Sequence, residues 1–438
     1  MVTRNNTTAV AIVGVGYVGL PLAICFSQSY RVVAYDVSQE KIASLLAASS
    51  YVDDVTNADI AAVLGKTLFP SSTPSDIASC DYVLIAVPTP ITKDRKPDLA
   101  PVISATRTVA SVLRPGQTVV LESTTYPGTV EEVMKPILES TGLVAGTDFH
   151  LAYSPERIDP GNKTHTVYNT PKVVGGESDE VTESVRALYQ SVIDAQVVTV
   201  SSIKTAEATK IFENVFRAVN IALVNELSIV FEHMGINTWE VIEAASTKPM
   251  GFLAHYPGIG VGGHCIPVDP YYLSYKARKI GHMTRFIELA GEINRYMPLH
   301  TAYATVAMLA RIGKRPEEAS VAILGVTYKP DTCDTRDSPS FDLIAHLLPK
   351  VGAVRYYDPH VPTITIEDRT LRSCSSLDEA LASDCVVVAV AHASFKDAGI
   401  EERAHRASTG SFVDGKRLLH PALLGAIPYR GLGTGVSV

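Results

Sequence analysis

Ala9-Val-Ala-Ile-Val-Gly14-Val-Gly16-Tyr-Val-Gly19 is the stretch on which the architecture turns. A short, β-branched apolar run that ends in glycine reads as a buried parallel strand over residues 9–15. The residues that follow predict a helix over 20–29, and residues 31–35 predict a second strand closing on Asp36. Between strand and helix, Gly14 permits a tight turn, Gly16 leaves room for a pyrophosphate, and Gly19 lets helix and strand pack closely. The helix N-terminus offers backbone N–H groups to the phosphates. Asp36 follows the first glycine by about 20 residues, the position from which a carboxylate takes a ribose hydroxyl. Its charge would repel a 2′-phosphate, so the expected cofactor is NAD rather than NADP.

Outward from this unit, residues 39–48 read as helix and residues 82–87, 117–122 and 149–153 as further strands. Such alternation implies a doubly wound parallel sheet. The pattern changes after Thr205, where Ile211, Val215, Ala218, Ala222 and Leu223 recur at helical spacing. Residues 286–310 also read as helix, with a break expected near Pro298. The opening pattern then returns. Ser320-Val-Ala-Ile-Leu-Gly325 parallels residues 9–14, Val354-Arg-Tyr-Tyr-Asp358 parallels 32–36, and Cys385-Val-Val-Val-Ala-Val390 parallels 82–87. The expected α/β fold is two Rossmann-like domains, 1–204 and 311–438, flanking a helical domain, 205–310. The second copy continues from Gly325 into Val326-Thr-Tyr-Lys329, without the later fingerprint glycines. It therefore suits a different ligand, to which Lys329 and Arg336 offer positive charge.

Composition bounds the partners. The 438 residues exceed one ordinary core, and 46% hydrophobic with 19% charged residues fit a soluble globular chain. A net charge of −8 argues against nucleic acid or an anionic membrane as partner. The six cysteines are scattered with no C-x-x-C pair, so neither a zinc site nor a disulfide framework is signalled; reduced thiols and a cytoplasmic location are expected. Residues 8–27 carry no charge, but Gly14, Gly16, Gly19 and Pro21 interrupt them, which suits a buried strand and helix better than a membrane anchor.

Chemistry concentrates around Gly258-Ile-Gly-Val-Gly262-Gly-His-Cys265-Ile-Pro-Val-Asp269-Pro270. A thiol in a glycine-dense loop is presented to a ligand, whereas Cys25, Cys80 and Cys385 lie in apolar surroundings that suit a core. A nucleophilic thiol is useful where an aldehyde must be oxidised: it adds to the carbonyl, the thiohemiacetal gives up hydride, and the thioester is hydrolysed. Lys210, Asn214 and Arg217 fall on one helical face and could stabilise an oxyanion, though a solvated polar stripe has the same spacing. Glu156, in a loop after a strand, could activate water; it could equally be an exposed loop carboxylate. Pro88 and Thr89 in Val87-Pro-Thr-Pro90, and Thr124 in Glu122-Ser-Thr-Thr-Tyr-Pro127, lie at the carboxyl edge where such sheets bind ligands.

Assembled in order, these motifs resemble the UDP-glucose/GDP-mannose dehydrogenase family over nearly the whole chain. The resemblance implies oxidation of C6 of a UDP-sugar from alcohol to carboxylate, with two NAD and one water. By position, Cys265 would be the nucleophile and Lys210 would stabilise the alkoxide. Asp269 would take the alcohol proton through a water, and Asn214 would hold the reacting oxygen. Thr124 would orient a water or a hydroxyl, and Glu156 would assist thioester hydrolysis. Lys329 would contact the nucleotide sugar and Arg336 the NAD pyrophosphate. Tyr17 and Val18 join the cofactor set; Arg157, Arg217, Tyr256 and Gly262 join the substrate set. Residues 122–129, 154–162 and 256–272 look like the members that oxidise UDP-N-acetylglucosamine for surface polysaccharides, with Ile158 and Ala254-His255 as departures. UDP-glucose members usually carry lysine where Val268 stands. UDP-N-acetylmannosamine, UDP-N-acetylgalactosamine and UDP-glucose stay open as substrates. A one-step β-hydroxyacid dehydrogenase and a non-catalytic NAD-binding protein stay open as functions. The helical middle is expected to support a homodimer or higher oligomer.

Overall fold

The computed structural model describes residues 8–92, 94–158 and 164–435. Residues 159–162 of one stretch quoted above lie outside the described residues. The chain forms two compact units, Met1–Glu213 with Tyr271–His282, and Asn214–Pro270 with Met283–Val438.

The first unit holds β1 (Ala9–Val13), β2 (Arg31–Tyr35), β3 (Leu68–Ser71), β4 (Tyr82–Ile85), β5 (Thr118–Leu121), β6 (His150–Tyr153), β7 (Lys172–Gly176) and β8 (Val197–Thr199), in the order β3-β2-β1-β4-β5-β6-β7-β8. All neighbours are parallel except β6 and β7, which run antiparallel. Side chains alternate between two buried layers: Val10 and Ile12 of β1 join one, Ala11 and Val13 the other. Both faces are thus covered, which is why these strands read as continuous apolar runs. The helix Gly19–Ser27 is buried along its whole length, so the uncharged opening segment belongs to a core. Burial pushes the Cys25 thiol up to about 12 and that of Cys80 to about 11, leaving both protonated.

The second unit repeats the plan with β9 (Ser320–Leu324), β10 (Ala353–Tyr357), a hairpin of β11 (Thr363–Ile366) and β12 (Arg369–Arg372), then β13 (Cys385–Val388), β14 (Phe412–Asp414) and β15 (Tyr429–Gly431). Its parallel sheet has the order β10-β9-β13-β14-β15. Again Val321 and Ile323 face one layer while Ala322 and Leu324 face the other.

Two long helices lie between the sheets in sequence, Ile203–His233 and Arg285–Arg311. The expected break near Pro298 does not occur; the second helix runs through it. Proline removes the N–H that would pair with the carbonyl four residues earlier. That carbonyl, on Asn294, faces Gly260, where a Cβ would lie 3.2 Å from it and 3.4 Å from the Pro298 ring. A glycine loop packs over the disturbed turn, where a larger residue would not fit. The helix Ile203–His233 is long and apolar enough, by length and composition alone, to cross a membrane. It also carries Glu207, Lys210, Asn214, Asn225 and Ser228, all buried, a pattern that suits a protein interior.

Glu207 ties this helix to the first sheet's edge loops. Its carboxylate accepts the N–H of Gly128 and, at 3.0 Å, that of Val130. Burial pushes its carboxyl up to about 7, against the pull of those two N–H donors. With a folded value above the ordinary 4.5, its stabilising contribution is complete below pH 4.5 and is lost as pH rises through about 7. The loss amounts to about 3 kcal/mol at most. Glu207→Gln should therefore flatten the dependence of the urea midpoint on pH across that window, and an unchanged slope would assign it to other groups.

Candidate active site

The cofactor turn is built as the glycines require. Gly14 has φ +93°, and a Cβ on Gly19 would sit 1.8 Å from the Gly14 carbonyl oxygen. Only glycine allows helix and turn to meet this closely. Gly16 differs: among the described residues nothing lies within 4 Å of the place its Cβ would take. Protein packing therefore does not demand glycine there, and the open space fits a pyrophosphate. Among the described residues no side chain caps the helix that begins at Gly19, with Val18 at its N-cap, which leaves the N-terminus suited to an anion. Tyr17 is exposed beside it.

Asp36 is buried, and its carboxylate already works for the fold. It accepts the N–H of Val15 at 3.0 Å and of Ser38 at 2.9 Å, and pairs with Lys41 at 2.9 Å. With about four acceptor sites on a carboxylate, one direction is left for a ribose hydroxyl. The Lys41 partner partly neutralises the charge that was expected to repel a 2′-phosphate. Ser123 links the two loops beyond β4 and β5: its hydroxyl accepts the Val87 N–H at 2.9 Å and donates to the Val87 carbonyl at 2.7 Å. That pairing positions Thr89 and Thr124, both half-buried, while Pro88 is exposed. The phenol of Tyr272 donates to the Pro90 carbonyl at 3.0 Å.

Glu156 is buried rather than exposed. Its Oε1 accepts the N–H groups of Arg157 and Ile158 at 2.7 and 2.8 Å, and its Oε2 lies 3.4 Å from the Lys172 ammonium. The Arg157 guanidinium is spent on Glu213 at 2.7 Å and on the Pro171 carbonyl. Lys210 is buried on the long helix.

In the second unit, the Cys265 loop has no room for side chains at Gly262 and Gly263. A Cβ on Gly262 would meet the Asp337 carbonyl oxygen at 2.8 Å and Tyr328 at 2.9 Å; Gly263, at φ +85°, would meet the Tyr328 ring at 2.9 Å. The Gly263 N–H donates to the Arg336 carbonyl at 3.1 Å, and the Gly258 N–H to Asn225 at 3.0 Å. The loop runs into the helix Asp269–Lys279, and the Cys265 carbonyl accepts the N–H groups of Val268 and Asp269. Half-buried Cys265 thus stands directly before a helix N-terminus, a position that favours negative charge. Asn214 donates its amide to Asp269 Oδ2 at 2.6 Å, so two residues 55 positions apart form one buried pair.

Arg217 is exposed, unlike Lys210 and Asn214 on the same stripe. Tyr256 is also exposed and stacks on Trp239 at 5.1 Å. The Arg336 guanidinium is held by Asp334, with Nε at 2.9 Å, and Lys329 lies 5.7 Å from the Tyr328 ring centroid. The second copy reproduces the Asp36 device: Asp358 accepts the Val326 N–H at 2.7 Å and the His360 N–H at 2.8 Å. Here the third partner is His392 Nε2 at 3.2 Å, while His392 Nδ1 accepts the Asp331 N–H at 2.9 Å. Asp331, His360 and His392 have potential ligand atoms within 4.8 Å of one another. Both ring nitrogens of His392 are engaged, which suits a hydrogen-bonded hub better than a metal centre.

Sequence reasoning passed over Lys172, Lys416 and His392. Lys172 opens an otherwise apolar strand, and that isolated charge was its signal. Lys416 follows β14 at its carboxyl edge, beside Gly258; burial pushes its ammonium down, against the pull of Asp414.

Comparison with known proteins adds a common ancestry to this geometry. Profiles of the UDP-glucose/GDP-mannose dehydrogenase family match its NAD binding domain over residues 8–193, its central domain over 204–296 and its UDP binding domain over 322–421. The chain belongs to this family. It is an NAD-dependent UDP-sugar dehydrogenase, an oxidoreductase. Protein CapL of Staphylococcus aureus is 43% identical over 339 residues, 77% of this chain and 79% of that relative. A UDP-N-acetyl-D-glucosamine 6-dehydrogenase of Pseudomonas aeruginosa is 38% identical over 394 residues, 90% of this chain and 92% of its own. The solved UDP-D-ManNAc dehydrogenase of Pyrococcus horikoshii superposes with a TM-score of 0.90 at 34% identity, covering 98% of this chain and all of the other.

Asp36→Ala should weaken NAD binding by about tenfold, some 1.4 kcal/mol, and narrow the preference over NADP. It should also lower the melting temperature, because Val15 and Lys41 lose their acceptor. Calorimetric titration with both cofactors checks this; an unchanged affinity ratio would show that Asp36 serves the turn alone.

Proposed function

We propose that this dehydrogenase oxidises C6 of UDP-N-acetylglucosamine to the carboxylate in two steps, through a covalent adduct on Cys265. The observation that carries the two-step chemistry is the Cys265 thiol, in a loop whose Gly260, Gly262 and Gly263 admit no side chains, four residues before Asp269, which opens a helix and pairs with buried Asn214. The choice of sugar is supported by the likeness of residues 122–129, 154–162 and 256–272 to members that use it, and by the relative from Pseudomonas aeruginosa. UDP-N-acetylmannosamine, its C2 epimer, is the second reading, favoured by the likeness to the Pyrococcus horikoshii structure.

Bound NAD supplies the hydride acceptor for both oxidations. Asp269, oriented by Asn214, takes the proton of the C6 hydroxyl through a water, and the Lys210 ammonium stabilises the alkoxide. The Cys265 thiolate adds to the aldehyde carbon, which prevents its escape and sets up the second oxidation. Glu156 takes a proton from the water that hydrolyses the thioester. Thr124 orients a hydroxyl or water, and Lys329 with Arg336 offers charge to phosphates. Reduced thiols and an intracellular cofactor suit the cytoplasm.

The second unit also exposes a stripe of Phe216, Leu223, Leu227, Val230 and Met234 on one long helix, and Phe286 and Leu289 on the other. Exposed apolar faces of this kind are covered by a partner. The occupant we infer is a second copy of the chain, which a sedimentation-equilibrium mass of twice 47.0 kDa would support.

With limiting UDP-N-acetylglucosamine and excess NAD, two NADH should form per sugar, with a new carboxylate in the product. One NADH would remove the role given to Cys265; turnover on UDP-N-acetylmannosamine alone would favour the second reading. Cys265→Ala should lower carboxylate formation by about four orders of magnitude while NAD binding changes by less than about twofold. Normal acid yield in that variant would exclude the covalent route.

A further inference from the structure

Behind Glu156, inside the first unit, lies a polar cluster to which no catalytic role has been given. Glu122 just past β5, Lys172 at the head of β7 and Tyr189 of the helix Asp179–Gln190 are all buried. Lys172 Nζ lies 2.7 Å from Glu122 Oε2, 3.4 Å from Glu156 Oε2 and 3.3 Å from the Pro155 carbonyl. The Tyr189 hydroxyl donates to Glu122 Oε1, and its ring centroid lies 5.0 Å from Lys172 Nζ.

This arrangement is costly. A buried ion pair often contributes no more stability than well-packed apolar residues would. Stability alone is therefore a weak reason to bury an ammonium between two carboxylates. The geometry at Glu156 gives another. Each carboxylate oxygen has about two acceptor directions. The Arg157 and Ile158 N–H groups fill both on Oε1, and Lys172 takes one on Oε2. One direction is left, at the oxygen nearest the lysine.

We propose that Lys172 is a positioning residue for thioester hydrolysis: anchored by Glu122 and Tyr189, it orients the Glu156 carboxylate and leaves it a single acceptor direction for the attacking water. This rests on the reading of Glu156 given above. In the step it serves, a water O–H bond breaks and the proton passes to Glu156. The water oxygen bonds to the thioester carbon, the carbon–sulfur bond breaks, and the sulfur leaves as the Cys265 thiolate. Burial lowers the Lys172 pKa, but Glu122 and Glu156 more than offset it, so the ammonium stays charged. Among the described residues, the titratable groups that interact with Glu156 or its lysine are Glu122, Tyr189 and the Cys25 thiol.

The test uses the full-length enzyme with NAD and whichever of UDP-N-acetylglucosamine or UDP-N-acetylmannosamine reduces it. Single-turnover traces separate the first NADH from acid release, and intact-protein mass spectrometry reports the adduct on Cys265. Removing a neighbouring cation raises a carboxyl pKa. Lys172→Met should therefore move the acid limb of hydrolysis up by about one pH unit. The adduct should accumulate where the wild type shows none, while the pH dependence of the first hydride transfer does not move with it. Because Lys172→Met leaves Glu122 buried without its cation, the double variant Glu122→Gln/Lys172→Met is measured beside it and should behave alike. Lys172→Arg should restore the wild-type limb. An unmoved limb in the double variant, with Glu156→Gln still trapping the adduct, would make Lys172 purely structural and overturn the proposal. Hydrolysis at the wild-type rate in Glu156→Gln would remove the role of Glu156 itself, and the proposal with it.

Discussion

A buried carboxylate at the end of the second strand holds the turn after the first, and each unit of this chain depends on that device. Asp36 grips Val15 and Ser38; Asp358 grips Val326 and His360, with distances between 2.7 and 3.0 Å in both. A tight glycine turn exposes backbone N–H groups, and burying them unpaired would cost about 1–3 kcal/mol each. The aspartate supplies the acceptors and so fixes where the following chain goes. In the first unit that chain becomes the helix Gly19–Ser27, whose N-terminus faces open space at Gly16. In the second it becomes the loop of Lys329, Asp334 and Arg336, and His392 rather than a lysine completes the aspartate's partners.

The loop bearing Cys265 obeys a different constraint, one of space. Gly260, Gly262 and Gly263 are each so close to Pro339, Asp337 or Tyr328 that a Cβ would come within 3 Å of another atom. Glycines first read as openings for a ligand therefore also let the loop lie against the second unit's own turn. The Gly263 N–H to the Arg336 carbonyl ties the loop bearing Cys265 to the loop bearing Lys329 and Arg336. A displacement of either loop would be felt by the other. This is a mechanical reason for nucleophile and phosphate-binding candidates to belong to one unit.

Much of this was legible in the chain. The strand–turn–helix opening, its second copy and the order of the motifs follow from local periodicity and turn chemistry, which act over a few residues. Among the candidate site residues, Cys265 stood out because glycines surrounded it, and Lys210 and Asn214 because four residues make one helical turn. Local pattern misled at Pro298, where proline predicts a break: the helix runs through it, with Gly260, distant in sequence, packed over the freed carbonyl of Asn294. Glu156 read equally well as an exposed loop acid, since nothing adjacent reveals that Lys172 closes over it.

The sequence by itself determined the class of fold and the nucleotide-binding turn, and it singled out the thiol that we propose carries a two-step oxidation, because each is written in residues that touch their neighbours along the chain. Only the tertiary structure decided the pairings: Asn214 with Asp269, Lys172 between Glu122 and Glu156, Glu207 on Gly128 and Val130, and Asp36 with Lys41. Most of these join residues far apart in the chain. A buried charge or amide is satisfied by whatever polar group the fold brings within hydrogen-bond reach, and no local rule of spacing selects that group.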